Sequence, residues 1–264
     1  MKRPVALTIA GSDSGGGAGI TADLKTFEAH DVWGTVAVVA VTAQNTVGVQ
    51  AFETLPAELV RRQIESVTAD IGVDAAKTGM LASAELVAAV AAAVRDFAVA
   101  HLVVDPVFVS KHGDTLLADD AVGALRDDLL SLAAVVTPNL PEAAALVGFA
   151  IEDRAAMEEA GRALAARGPK AVLVKGGHLG GEDSPDCLVA GDDVQWLEGA
   201  RIPGRHTHGT GCVLSAAIAA ELARGMEPAD ACIAAKRFIE RAIAAGVELG
   251  RGVGPVDPGW SRRT

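Results

Sequence analysis

Apolar residues along this chain fall into short unbroken runs separated by stretches with helical spacing. Residues 5–10, 34–42, 75–78, 101–105, 133–137 and 171–175 are rich in Val, Ile, Leu and Ala, and each ends at a polar or Gly-containing turn. Runs of that length with no polar alternation predict strands covered on both faces. Between them, helices are expected over 20–30, 56–70, 83–98, 119–130, 141–147 and 153–167. Two Ala-rich helices over 211–224 and 228–249 close the pattern. Pro56 suits the first turn of its helix. Residues 187–197 predict a hairpin turning at Gly191-Asp192-Asp193.

Strand–helix alternation without a linker predicts a single doubly wound, three-layer α/β/α domain over 1–264, with a mostly parallel central sheet. Such sheets bind ligands beyond the carboxyl ends of their strands. The polar interruptions fall at those ends: Gly11-Ser12-Asp13, Gln44-Asn45, Lys77-Thr78-Gly79, Asp105-Pro106, Thr137-Pro138-Asn139 and Lys175-Gly176-Gly177.

Composition narrows the function. Hydrophobic residues make up 50% of the 264 and charged residues 22%, an ordinary globular balance. Aromatics are 3% with no Tyr, which disfavours stacking platforms. The formal charge of −11 repels nucleic acids and anionic lipids, so neither is an expected partner. Local amides, Lys and a metal still permit a phosphorylated ligand. The three cysteines, Cys187, Cys212 and Cys232, are widely spaced and form no CxxC pair. That fits a reducing compartment. The run at 5–10 is too short for a signal segment, and the longest apolar runs fall far short of the ~18 residues of a membrane span. A cytoplasmic protein is expected.

Four segments carry candidate chemistry. The loop from Gly11 to Gly19 lies between a strand and a helix, where backbone amides gather anions. It matches neither a Walker A motif nor GxGxxG, and a plain connector fits it equally well. His206-Thr207-His208-Gly209-Thr210-Gly211-Cys212 is a stronger signal. Gly209 and Gly211 allow close backbone approach before an Ala-rich helix, which makes a phosphate cradle. Cys212 lies at its centre, where a helix terminus is expected to lower a thiol pKa. A Gly-rich cap with a buried Cys is the plainer alternative. Asp105 and Glu142 end neighbouring strands and suit Mg²⁺, held directly or through waters. Turn and helix-terminus roles would also explain them. Lys175, at the end of a buried strand, suits phosphate neutralisation or a solvated strand end. His206 and His208 lack further ligands at zinc spacing. A thiol hydrolase built on Cys212 and a His is a rival reading.

Taken together, these segments resemble the ribokinase-like superfamily. Asn139 to Glu142 matches its Asn-x-x-Glu motif. Gly209-Thr210-Gly211-Cys212 matches its Gly-x-Gly-Asp anion hole, with Cys for Asp as in the vitamin-kinase branch. Ala10 to Ile20, Ala22-Asp23-Leu24-Lys25-Thr26, Thr42-Ala43-Gln44-Asn45-Thr46, Lys77-Thr78-Gly79-Met80-Leu81, Val104-Asp105-Pro106-Val107 and Val174-Lys175-Gly176-Gly177-His178 sharpen the likeness to hydroxymethylpyrimidine/phosphomethylpyrimidine kinases. These matches span nearly the whole chain.

The resemblance implies an ATP- and Mg²⁺-dependent kinase of thiamine biosynthesis that phosphorylates hydroxymethylpyrimidine and then its monophosphate. It implies that Gln44 binds the aminopyrimidine edge, with donor and acceptor on one amide. Asp23 would meet the hydroxymethyl group beside the Gly11 backbone, and Met80 and Val107 would pack the ring. Asp105 and Glu142 would organise Mg²⁺. Lys175 and the loop from Gly209 through Gly211 to Cys212 would surround the transferring phosphoryl. Asn139, Thr210 and Lys236 would lie near the nucleotide, and a homodimer is expected. His206, where relatives often have Asn, and His112 after Lys111 depart from the pattern. Pyridoxal kinase is the nearest alternative, and a non-catalytic pyrimidine sensor belongs to another class.

Overall fold

A computed structural model describes residues 3–108 and 119–262. His112, noted above as a departure, lies outside the described residues. One nine-stranded sheet runs through the molecule. Its strands are β1 (Val5–Gly11), β2 (Trp33–Asn45), β3 (Gly48–Thr54), β4 (Ala75–Thr78), β5 (Leu102–Val104), β6 (Ala133–Val136), β7 (Ala171–Val174), β8 (Asp186–Ala190) and β9 (Asp193–Leu197). They lie in the order β3-β2-β1-β4-β5-β6-β7-β8-β9. From β2 to β7 neighbouring strands pair in parallel, while β3, β8 and β9 join antiparallel at the two edges.

The helices are α1 (Gly19–Ala29), α2 (Ala57–Asp70), α3 (Ala84–Asp96), α4 (Asp119–Ala124), α5 (Leu140–Val147), α6 (Arg154–Ala165), α7 (Thr210–Ala223) and α8 (Pro228–Ala244). Side-chain alternation along the strands divides the core into two layers. Leu7, Ile9, Ala76, Leu102, Val104, Val172 and Val174 face the layer that holds α2, α3, α5 and α6. Ala6, Ala75, Val103, Ala171 and Leu173 face α1, α7 and α8. The doubly wound architecture expected from the pattern is therefore present. α7 is buried along its length, from Val213 to Leu222, so its N-terminus is held rigidly against the strand ends.

Three expectations need correction. The strand expected over 34–42 is longer, because β2 continues through Gln44 to Asn45 and folds back as β3. β3 is mostly exposed and lacks the apolar run that marks the interior strands. The helix expected over 119–130 breaks: α4 ends at Ala124, a π-helical turn spans Leu125–Leu129 and a 3₁₀ turn spans Leu130–Leu132. The last helix stops at Ala244 rather than 249.

Candidate active site

Two Gly-rich loops meet at the carboxyl ends of the strands. Gly209 precedes α7 with φ +82°, and a methyl group there would overlap the Gly17 carbonyl oxygen. Both loops therefore depend on bare backbone at this contact. No side chain caps α7. Its first amides and the positive end of its dipole are left for a ligand, the arrangement that binds phosphate.

The charged centre lies in front of that terminus. Asp105 follows β5 and is 2% exposed. Its Oδ1 accepts from Lys175 Nζ at 3.0 Å and from the Thr137 hydroxyl at 3.1 Å, and its Oδ2 accepts from the Ser215 hydroxyl at 3.1 Å. Lys175 Nζ also stands 3.8 Å from Glu142 Oε2. A methyl group on Gly211 would lie 3.6 Å from Lys175 Nζ and 3.7 Å from Asp105 Oδ2, so α7 opens directly onto this pair.

These groups set one another's protonation. Burial alone would raise Asp105, but the Lys175 and Lys77 ammoniums hold it below the usual carboxylate range. Burial likewise opposes charge on Lys175, yet Asp105 and Glu142 push its pKa up. Glu142 is pushed up to about 7, by burial first and by Asp105 second, against Lys175 and the Asn139 and Phe108 amides.

Asn139 and Glu142 form a capping box at the start of α5. The Glu142 amide donates to Asn139 Oδ1 at 2.9 Å, and the Asn139 amide donates to Glu142 Oε2 at 2.7 Å. The helix cap thus orients a carboxylate towards Lys175. Thr210 opens α7, with its hydroxyl donating to the Thr207 carbonyl at 2.7 Å.

Lys236 lies outside the cluster. Its Nζ donates to Asp186 Oδ2 at 2.8 Å and to the Ser184 carbonyl at 2.9 Å. Asp186 Oδ1 in turn accepts from the Gly176 amide at 2.8 Å. Lys236 therefore braces the turn that carries Lys175.

One further expectation, the acidified thiol of Cys212, is corrected below. Asp23, expected beside the hydroxymethyl group, lies close enough to Cys212 to raise its thiol pKa. It is fully buried, held by Lys77 Nζ at 2.9 and 3.0 Å and by the Thr8 hydroxyl at 2.7 Å. Burial would pull the Lys77 ammonium down, but the Asp23 carboxylate outweighs it and holds that ammonium above its ordinary range.

Cys212 does not carry an acidified thiol. Burial pushes it up to about 11, and the carboxylates of Asp23 and Asp105 add to this. Lys77 and the Gly19 amide, 3.4 Å from Sγ, pull only partly the other way. Its helix terminus is outweighed by loss of water and by nearby carboxylates. Cys212 is therefore a neutral thiol at pH 7, suited to donating a hydrogen bond rather than accepting a proton.

The other half of the site is built on Asp13. Its Oδ1 accepts from the Gly15 amide at 2.8 Å, and its Oδ2 accepts from Gly17 and Ala18 at 2.9 and 2.8 Å. His208 Nε2 lies 3.0 Å from the same Oδ2 and 3.4 Å from the Gln44 side-chain amide. Gln44 occupies an irregular register between β2 and β3, and such a shift re-aims a side chain. Met80 Sδ would be 3.4 Å from a methyl group on Gly11, and Val107 is half-buried after β5.

Lys77, Asp13, His208, Ser215 and Thr137 are the supporting residues that sequence reasoning did not assign to the site. Lys77 carried a usable signal, since it is the charged residue in a four-residue strand that is otherwise Ala-Ala and Thr. His208 and Asp13 are 195 positions apart, and only the fold brings them together.

The chain as a whole is similar to known proteins. The family model described as phosphomethylpyrimidine kinase matches residues 13–257. A hydroxymethylpyrimidine/phosphomethylpyrimidine kinase of Streptomyces coelicolor is 52% identical over 98% of this chain and 95% of its own. Its Escherichia coli namesake is 46% identical over 97% of each chain. Among solved structures, a Bacillus subtilis pyridoxal kinase in an ADP complex superposes with a TM-score of 0.92 at 39% identity, over the full length of both chains. A phosphomethylpyrimidine kinase from Clostridium difficile gives 0.82 at 41%, over 91% of this chain and all of its own. With the family model covering most of the sequence, the chain belongs to the phosphomethylpyrimidine kinase family.

Proposed function

We propose that this chain transfers the γ-phosphoryl group of ATP to the hydroxymethyl oxygen of 4-amino-5-hydroxymethyl-2-methylpyrimidine, and then phosphorylates the monophosphate to the diphosphate for thiamine biosynthesis. The observation that carries the reading is Lys175, held between Asp105 and Glu142 and facing Gly211 at the uncapped start of α7. Phosphoryl transfer needs positioning and charge stabilisation more than covalent help. A fixed ammonium beside a row of helix amides supplies both.

Gln44, Met80, Val107 and the Gly11 backbone form the acceptor side of this proposal. Asp23 acts from behind, by fixing Lys77 in the floor. Cys212 offers its thiol proton to the acceptor or phosphoryl oxygen. Asn139 and Thr210 lie on the nucleotide side, and Lys236 acts through the Lys175 turn.

Asp105 and Glu142 fit Mg²⁺ as water-mediated ligands. Both Asp105 oxygens already accept hydrogen bonds, and Mg²⁺ commonly keeps waters and takes phosphate oxygens. When bound there, Mg²⁺ would supply positive charge to the phosphates, while Lys175 and the α7 amides would hold the transferring group. We place the enzyme in the cytoplasm as a homodimer. No helix among the described residues is long and apolar enough to cross a membrane.

Pyridoxal phosphorylation is the second reading, favoured by the 0.92 TM-score to a pyridoxal kinase. The higher identity to pyrimidine kinases ranks it second. Mass spectrometry of the product made from ATP and hydroxymethylpyrimidine tests the assignment. A diphosphate supports two successive transfers, and an unmodified pyrimidine contradicts the proposal.

A further inference from the structure

A second cavity, of about 430 Å³, lies at the opposite end of α7 from the catalytic cluster. From Cys212 to Arg224 along the helix is about 18 Å at 1.5 Å per residue. Its floor is aromatic: the His30 and Phe238 rings are 4.4 Å apart, and Phe238 and Trp260 are 6.0 Å apart. Its walls carry Arg224, Arg237 and Arg241. Arg224 is neutralised by Glu221 at 3.2 Å, and Asp31 stands at the rim.

Arg237 and Arg241 are different. They sit one helical turn apart on α8, where like charges repel, and neither has a carboxylate partner among the described residues. That is unexpected in a chain of net charge −11, where acids outnumber bases 34 to 23. The Arg241 guanidinium instead lies 5.1 Å from the Trp260 ring centroid.

We propose that this cleft is a second ligand site, remote from catalysis, for a small aromatic phosphate. The flat ring packs on Phe238 and Trp260. The phosphate takes charge-assisted hydrogen bonds from Arg237 and Arg241. Guanidiniums suit such planar, multidentate recognition of phosphate better than ammoniums do.

Trp260 provides the reporter. The chain has three tryptophans, so Trp33→Phe with Trp196→Phe leaves Trp260 as the emitting residue. The protein is titrated with phenyl phosphate, inorganic phosphate and benzyl alcohol, under saturating ADP so that the catalytic site is filled. Saturable quenching by phenyl phosphate, weaker response to the other two, and a loss of affinity of about tenfold or more in Arg237→Gln/Arg241→Gln would support the proposal. An unchanged rate of ADP release shows that the double variant is folded. No saturable quenching, equal affinity in the double variant, or an equal response to benzyl alcohol or to inorganic phosphate would overturn it.

Discussion

His208 holds its imidazole 3.0 Å from the Asp13 carboxylate and 3.4 Å from the Gln44 amide, so one ring joins the Gly-rich loop to the residue proposed to read the acceptor. Asp13 meanwhile gathers the amides of Gly15, Gly17 and Ala18. Burial would raise its carboxyl, but His208 and the loop amides outweigh it and hold it below its ordinary value. Its stabilising effect is therefore complete above pH about 4 and fades as pH falls through the folded value.

Asp13→Asn keeps the shape but weakens charge-assisted bonds. The expected loss is on the order of 2–3 kcal/mol of unfolding free energy at pH 7, shrinking below pH about 4. Urea unfolding at both pH values measures it. His208→Ala leaves the Gln44 amide unsupported, so KM for the pyrimidine should rise about tenfold or more while KM for ATP changes little.

Lys77 and Asp23 form an ion pair whose side chains are both 0% exposed. Removing one partner leaves the other buried and uncompensated. Lys77→Met should cost about 3–5 kcal/mol, and adding Asp23→Asn should recover part of that loss. Chemical denaturation of the two singles and the double measures the coupling. A double variant no more stable than Lys77→Met would contradict the pairing.

Glu142, near pKa 7, gives the reaction a testable pH dependence. Its folded pKa lies above the ordinary value, so the folded state binds the extra proton. Stability attributable to this group falls as pH rises from about 4.3 through 7. Metal binding asks for the ionised form. The kcat/KM for Mg-ATP should therefore rise with pH through an apparent pKa near 7, and that limb should move to lower pH as free Mg²⁺ increases. Glu142→Gln should abolish the limb.

Cys212 should behave as an inert thiol at neutral pH. With a pKa near 11, it should react with iodoacetamide at pH 7.5 at least ~100-fold more slowly than an ordinary free thiol. Its reactivity should still be climbing at pH 10. Rapid single-site alkylation of Cys212 at pH 7 would show the thiol to be acidified after all.

The parallel strands were legible because most are apolar runs, β4 with Lys77 being the exception, and their ends were marked by the polar residues that interrupt those runs. β3 was not legible, since an exposed edge strand such as Gly-Val-Gln-Ala-Phe-Glu-Thr has no apolar signature. Cys212 shows a different limit. Sequence places it at a helix terminus, but its pKa is decided by burial and by Asp23 and Asp105, which arrive from α1 and from the end of β5. Asp23 likewise carries the right residue type at the right motif position, while its partner Lys77 comes from 54 residues away. Local chemistry was readable, and long-range pairing was not.

ADP release under Mg-ATP, with hydroxymethylpyrimidine, its monophosphate and pyridoxal supplied separately, tests the central claim most directly. Turnover on both pyrimidine species, with pyridoxal much slower, is the predicted result. Turnover on pyridoxal alone, or none on any acceptor, would contradict it.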